Sequence, residues 1–102
     1  MKIQISVSAN DFVYNIDINT QSNFFVCNGK TKKIDTLDFK QKLFDIIFCW
    51  DKNMVVDNIT DCQKYQITVS NNNEHITFVG KGKYPNNYNQ FISLLREVDN
   101  NE

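Results

Sequence analysis

The chain has 102 residues, a formal net charge of −1 and a pI near 5.7. This length fits one compact domain, and we predict a single domain over residues 1–102. The near-zero charge gives no global attraction to nucleic acid or to an anionic membrane, so we expect neither as a partner. No apolar stretch approaches the roughly 20 residues that span a bilayer, and the start shows no signal-peptide pattern, so we expect a cytoplasmic protein.

Three strands are predicted at the start of the chain. Apolar and polar residues alternate over 3–7, which indicates a strand with one buried and one wet face. A second strand over 12–18, a turn over 19–23 and a third strand over 24–28 complete a predicted meander.

A helix follows, capped by Asp35 or Thr36 and expected to run to about Asp51. Its apolar residues cover an arc of roughly 200°, where a one-sided helix needs about 100°. The last helix or the segment 51–64 would cover the second side, or else a partner or a second copy of the chain would. The two sides are Phe39, Leu43, Ile46, Ile47 and Trp50, and Leu37, Phe44 and Phe48.

The second half is predicted to repeat the first at an offset of 51 residues, with Leu43 matching Leu94. Residues 54–56 would form a short strand in the place that the first strand takes. A hairpin over 65–69 and 74–80, with Ile76 and Phe78 inward, precedes a helix capped by Asn86 or Asn87, and residues 98–102 should fray.

The predicted architecture is therefore α+β, in the order β-β-β-α-(β)-β-β-α, with a possible internal ββα repeat. A mainly antiparallel sheet of five or six strands would carry two helices on one face.

The residues that could carry catalysis or hold a metal are few. His75 is the only histidine and falls on an outward strand position, where an ordinary surface role is expected. The lysines of the segment 80–83 lack Walker spacing. The cysteines are odd in number and not in CxxC pairs, so we expect reduced, mostly buried thiols and neither a disulfide framework nor a zinc site. We predict no enzyme activity, no cofactor and no metal. The cysteines are Cys27, Cys49 and Cys62.

The outer face of the sheet offers a candidate protein interface. If Phe25 and Cys27 point inward, aliphatic and aromatic groups remain on the wet face, and a contiguous patch of them would mark an interface. Ordinary outward valines are the alternative, and a slip in strand register would reverse the assignment. The predicted partner-binding residues are Phe24, Val26 and Val79, with Asp17 and His75 at the rim.

The stretch from Trp50 to Val98 carries three motifs: YQITV at 65–69, FVGKGKYPNNY at 78–88 and FISLL at 91–95. In these it resembles uncharacterised small proteins of low-GC bacteria with a W…YxIxV…GxxxYPxNYxxF pattern. The resemblance implies structural roles for Gly80, Tyr84 and Pro85. A fainter likeness of element order is to emfourin-type protease inhibitors, and it implies no inhibitory residue.

We predict a non-catalytic protein-binding module, of which a bacterial immunity or inhibitor-type protein is the sharpest version. Its partner would be another protein, such as a toxin or an enzyme. One alternative is a homodimeric scaffold protein that associates through the same sheet face. The other is a small-ligand or nucleotide-binding module, which requires a polar pocket with a perturbed acid or base.

Overall fold

The computed structural model describes residues 1–56 and 63–100. This part of the chain holds seven strands and two helices, and it confirms the predicted α+β class. The elements are β1 (Lys2–Ser8), β2 (Val13–Asn19), β3 (Phe24–Cys27), β4 (Lys30–Thr31), α1 (Thr36–Ile47), β5 (Asn53–Val55), β6 (Lys64–Asn71), β7 (Glu74–Lys81) and α2 (Tyr88–Asp99).

All seven strands join one sheet in the order β4-β3-β2-β1-β6-β7-β5. Neighbouring strands are antiparallel except β5 and β7, which are parallel, so the sheet is mixed. The mainly antiparallel pattern is confirmed, but the predicted count of five or six was low because β4 also pairs.

The predicted place of the strand near residue 54 was wrong. The first strand of the first half, β1, lies beside β2, whereas β5 lies beside β7 at the sheet edge. The position next to β6 is already taken, because β1 pairs along that whole strand from Lys2↔Ser70 to Ser8↔Lys64. β1 thus pairs with one strand of each hairpin. The two halves therefore resemble each other in the order of hairpin and helix but not in the position of the additional strand.

Strict alternation sets which face of the sheet is buried. Inward side chains of β1, β2, β3 and the first half of β6 are buried, while their neighbours along the strand are mostly exposed. Both helices pack on this inward face. The helix residues in the core include Phe39, Leu43 and Ile47 of α1 and Phe91, Leu95 and Val98 of α2.

Helix α1 begins as predicted, because Asp35 Oδ1 accepts hydrogen bonds from the backbone N–H of Leu37 and Asp38, each at 3.1 Å. It ends at Ile47, four residues before the predicted Asp51. The chain turns there so that Trp50 enters the core, and the Trp50 N–H donates to Ile47 O at 2.9 Å.

The side chain of Asn87 explains how this turn is held. It accepts a hydrogen bond from the Trp50 indole N–H and donates to Ile46 O at 2.8 Å. Asn87 does occupy the predicted N-cap position of α2, but its side chain makes no capping hydrogen bond to that helix.

Helix α2 starts 52 residues after α1, so Leu43 corresponds to Leu95 and not to the predicted Leu94. Both Leu43 and Leu95 are fully buried. The helix includes Val98 and Asp99, which were predicted to fray; residues 101–102 lie outside the described part.

An aromatic cluster closes the space between the Gly80 end of β7 and the two helices. The Trp50 ring lies 5.4 Å from the rings of both Tyr65 and Phe91, and Tyr88 lies 5.3 Å from Tyr65. Tyr65 pairs across the sheet with Gly80, and a Cβ atom at Gly80 would overlap the Tyr65 ring. Glycine at this position therefore makes the room that the ring occupies.

Candidate functional site

The outward orientation of the predicted partner-binding residues agrees with the strand register, but the residues form two separate groups. Val26 pairs with Asp17 at one side of the sheet, next to Phe24. Val79 and His75 lie on β7, four strand positions away from β3, which corresponds to about 19 Å. Polar side chains of β2, β1 and β6 fill the space between, among them Gln4, Asn15 and Gln66. Among the described residues, the predicted apolar positions of the outer face thus do not form one contiguous patch.

The second apolar side of α1 is a stronger indication of a binding surface than the outer face of the sheet. Leu37 is 61% exposed and Phe48, directly after the helix, is 81% exposed. Helix α2 does not cover them, because it packs beside Ile46, where Leu94 lines the hollow between the helices. Of the segment 51–64, residues 57–62 lie outside the described part, and the residues described leave both side chains exposed.

This side of α1 borders an apolar groove of about 400 Å³ between the end of α1 and the β6–β7 hairpin. On the helix side, the wall of the groove is formed by Phe44 and Phe48. The sheet contributes Val69, Ile76 and Phe78. The other lining residues are Met1, Ile47, Asn71, Glu74 and His75.

Ile76 shows why the groove exists. Its pairing with Val69, which pairs in turn with Ile3, places it on the helix-bearing face, as predicted. It is nevertheless 46% exposed, because α1 ends at Ile47 and neither helix extends over this end of β7. The groove is the part of the apolar sheet face that the helices leave uncovered.

The groove carries little charge. Among the side chains that line it, Glu74 supplies the one carboxylate. Helix α1 has no basic residue in its last turn to balance the negative end of its dipole. Lys40 lies nearby on α1, with Nζ 5.7 Å from the centre of the Phe44 ring. The groove is therefore apolar along its length and acidic near Glu74.

Elsewhere in residues 1–56 and 63–100, the buried cysteine is not an activated nucleophile. Burial, assisted by Asp99, raises the pKa of the Cys27 thiol, whose Sγ lies 3.6 Å from Asp99 Oδ1. The thiol is therefore protonated at neutral pH, whereas a nucleophilic cysteine needs a lowered pKa. Cys49 is exposed, and Cys62 lies outside the described residues.

Two tyrosine hydroxyls in the aromatic cluster, those of Tyr65 and Tyr88, are buried without a hydrogen-bond partner in the described residues. Burial raises the pKa of both. Over residues 1–56 and 63–100, no group of three or more His, Cys, Asp or Glu side chains is placed to hold a metal ion.

Sequence reasoning found one half of the groove and missed the other. The helical periodicity identified Phe44 and Phe48 as a second apolar side that needs a cover. Ile76 and Phe78 were assigned to the core, because strand alternation gives the face of a residue but not whether a helix covers it. Of the predicted partner-binding residues, only His75 borders the groove.

Comparison with protein-family models, with curated proteins and with solved structures found no match. Neither described helix is long and apolar enough to cross a membrane.

Proposed function

We propose that this protein is a non-catalytic protein-binding module and that its partner docks in the groove between α1 and the β6–β7 hairpin. The observation that carries the proposal is the exposure of Phe48 next to Ile76, on an apolar surface continuous with Phe44 and Phe78. A single exposed apolar residue is common, but a contiguous group beside a groove marks an interaction site. Aromatic side chains also supply much of the binding energy at protein interfaces.

The composition of the groove favours a protein over a small polar ligand. Sites for small ligands combine apolar walls with a few convergent polar groups that orient the ligand. Here Asn71, Glu74 and His75 follow one another across the hairpin turn, and the remainder of the lining is apolar. A partner that presents apolar side chains over an extended surface fits this distribution. An immunity or inhibitor-type protein, with a toxin or an enzyme as partner, is the narrower form of the proposal.

The test compares two exposed apolar residues on the same side of α1. Phe48→Asp places a charge in the groove, while Leu37→Asp places the same charge at the other end of the helix, outside the groove lining. Tagged parent and variants are used to capture partners from a lysate of the source cells, and captured proteins are quantified by mass spectrometry. We expect a stoichiometric partner to be lost with Phe48→Asp and kept with Leu37→Asp.

Other outcomes would contradict the proposal. Loss of the partner with Phe24→Asp but not with Phe48→Asp would move the interface to the outer sheet face, where Phe24 is 47% exposed. Sedimentation of the purified chain provides a second check. A dimer that Phe48→Asp converts to a monomer would favour the homodimeric alternative at the same groove.

A further inference from the structure

The groove is bordered by a stretch of sheet edge whose backbone groups point away from β6. Val79 N–H donates to Lys52 O, and Lys81 O accepts from Val56 N–H, each at 2.9 Å. Val79 and Lys81 thus direct their backbone groups toward β5. In a strand the direction alternates with every residue, so the N–H and C=O groups of Thr77 and His75 point to the same side.

Strand β5 covers only part of this edge. It pairs with β7 from Asn53↔Val79 to Val55↔Lys81. Within the described residues, no backbone or side-chain hydrogen bond is made to the outward backbone groups of Thr77 and His75. The residues on either side of the undescribed segment, Val56 and Gln63, lie at the Lys81 end of β7, away from His75.

We propose that the open stretch of β7 binds an extended segment of the partner protein as an additional strand. The segment would continue the line of β5 and hydrogen-bond to the backbone of His75 and Thr77. Every second side chain would then enter the groove beside Ile76, between β7 and Phe48. Strand addition of this kind obtains affinity from backbone hydrogen bonds and specificity from pockets for alternate side chains. This inference rests on the proposed function.

Two features identify the occupant as an apolar segment with a basic residue. The groove wall of Phe44, Phe48 and Phe78 selects apolar side chains at alternate positions, because that is the spacing at which strand residues face one side. Glu74 is charged and stands at the outer end of the open stretch. A Lys or Arg at the end of the segment that lies beside Glu74 would pair with it.

A second copy of this chain fits the same position less well. If two β7 strands paired antiparallel along their open stretches, the β6–β7 turn of one copy would meet Lys52 of the other, whose carbonyl already bonds to Val79. The pairing would be limited to a few residues. A partner segment that ends or turns away before Lys52 has no such limit.

The test uses a phage-displayed library of random peptides, panned on the intact chain with removal of phage that also bind Phe48→Asp. The peptides retained should show apolar residues at alternate positions and a nearby Lys or Arg. One retained peptide is then synthesised. When it binds, we expect the exchange of the His75 and Thr77 amide protons to slow by about tenfold or more, as measured by NMR.

A matched pair of variants examines the backbone hydrogen bond itself. His75→Pro removes the outward N–H, whereas His75→Val removes the imidazole and keeps the N–H. We expect His75→Pro to weaken peptide binding by about fivefold or more relative to His75→Val, because the two variants differ in the backbone N–H. If His75→Pro does not fold, the exchange measurement on the parent chain decides alone.

The failures of the two proposals are distinguishable. A peptide that depends on Phe48 but leaves the exchange of His75 and Thr77 unchanged, and that binds His75→Pro as well as His75→Val, would overturn strand addition and keep the groove as the binding site. If no Phe48-dependent peptide is retained, strand addition is overturned. If, in addition, no protein captured from the lysate is lost with Phe48→Asp, the proposed function is overturned as well.

Discussion

The two ends of β7 belong to one strand but are covered differently by the other elements of the chain. At the Gly80 end, β5 pairs with the edge and the rings of Trp50, Tyr65 and Tyr88 pack closely above the sheet. At the His75 end, the edge is open and Ile76 faces a groove. Apolar groups lie on the inward face at both ends, the Tyr65 ring above Gly80 and the Ile76 side chain beside His75, so apolar content alone does not separate core from site. What separates them is whether another element of the chain covers them.

The largest expected difference in stability is between two variants, one of a phenylalanine in the aromatic cluster and one of a phenylalanine in the groove. Phe91→Ala removes a fully buried ring of the aromatic cluster and should lower the free energy of unfolding by about 3–5 kcal/mol. Phe48→Ala removes a ring that has little packing to lose and should change it by less than about 0.5 kcal/mol. Urea unfolding followed by circular dichroism measures both. Equal losses would mean that Phe48 belongs to the core.

A smaller contrast compares backbone positions along β7. Gly80→Ala introduces a Cβ atom where the Tyr65 ring lies, and the displaced ring should cost about 1–3 kcal/mol of stability. His75→Ala, at the exposed end of the same strand, serves as the control and should be nearly neutral. The same unfolding experiment applies. A neutral Gly80→Ala would show that the aromatic cluster has room to rearrange.

The smallest expected effect is a pH dependence of stability, and it concerns the tyrosines at the Gly80 end of β7. Burial raises the pKa of Tyr65 and Tyr88 above the ordinary value of 10.0. The unfolded chain therefore loses these phenol protons first, so stability is unaffected below about pH 10 and falls as the pH rises above it. Each tyrosine contributes a slope of at most about 1.4 kcal/mol per pH unit.

The double variant Tyr65→Phe, Tyr88→Phe tests this pH dependence. It should lose less stability than the parent between about pH 10 and pH 11. At neutral pH we expect a small difference between the two, because the deleted hydroxyls have no hydrogen-bond partner in the described residues. Unfolding free energies measured across this pH range would show parallel curves if the two phenols are accessible to solvent in the folded state.

Much of the local structure could be predicted because it depends on neighbours in sequence. Alternation placed Phe25 inward and Phe24 outward, and of the two predicted caps of α1, Asp35 and Thr36, the structure has Asp35. The end of α1 was missed because it depends on Trp50 and on Asn87, which lies 37 residues away from Trp50. The sheet position of β5 was missed for a similar reason, since β1 occupies the place beside β6 that the repeat suggested for it.

The sequence by itself determined which residues share a face, because the periods of strand and helix follow from backbone geometry. It therefore identified Phe44 and Phe48 as a side of α1 in need of a cover. Only the tertiary structure decided that Ile76 lies opposite them and that the β7 edge beside His75 stays open in the described chain. Coverage depends on where each helix and edge strand ends relative to the others, and that is set by long-range packing.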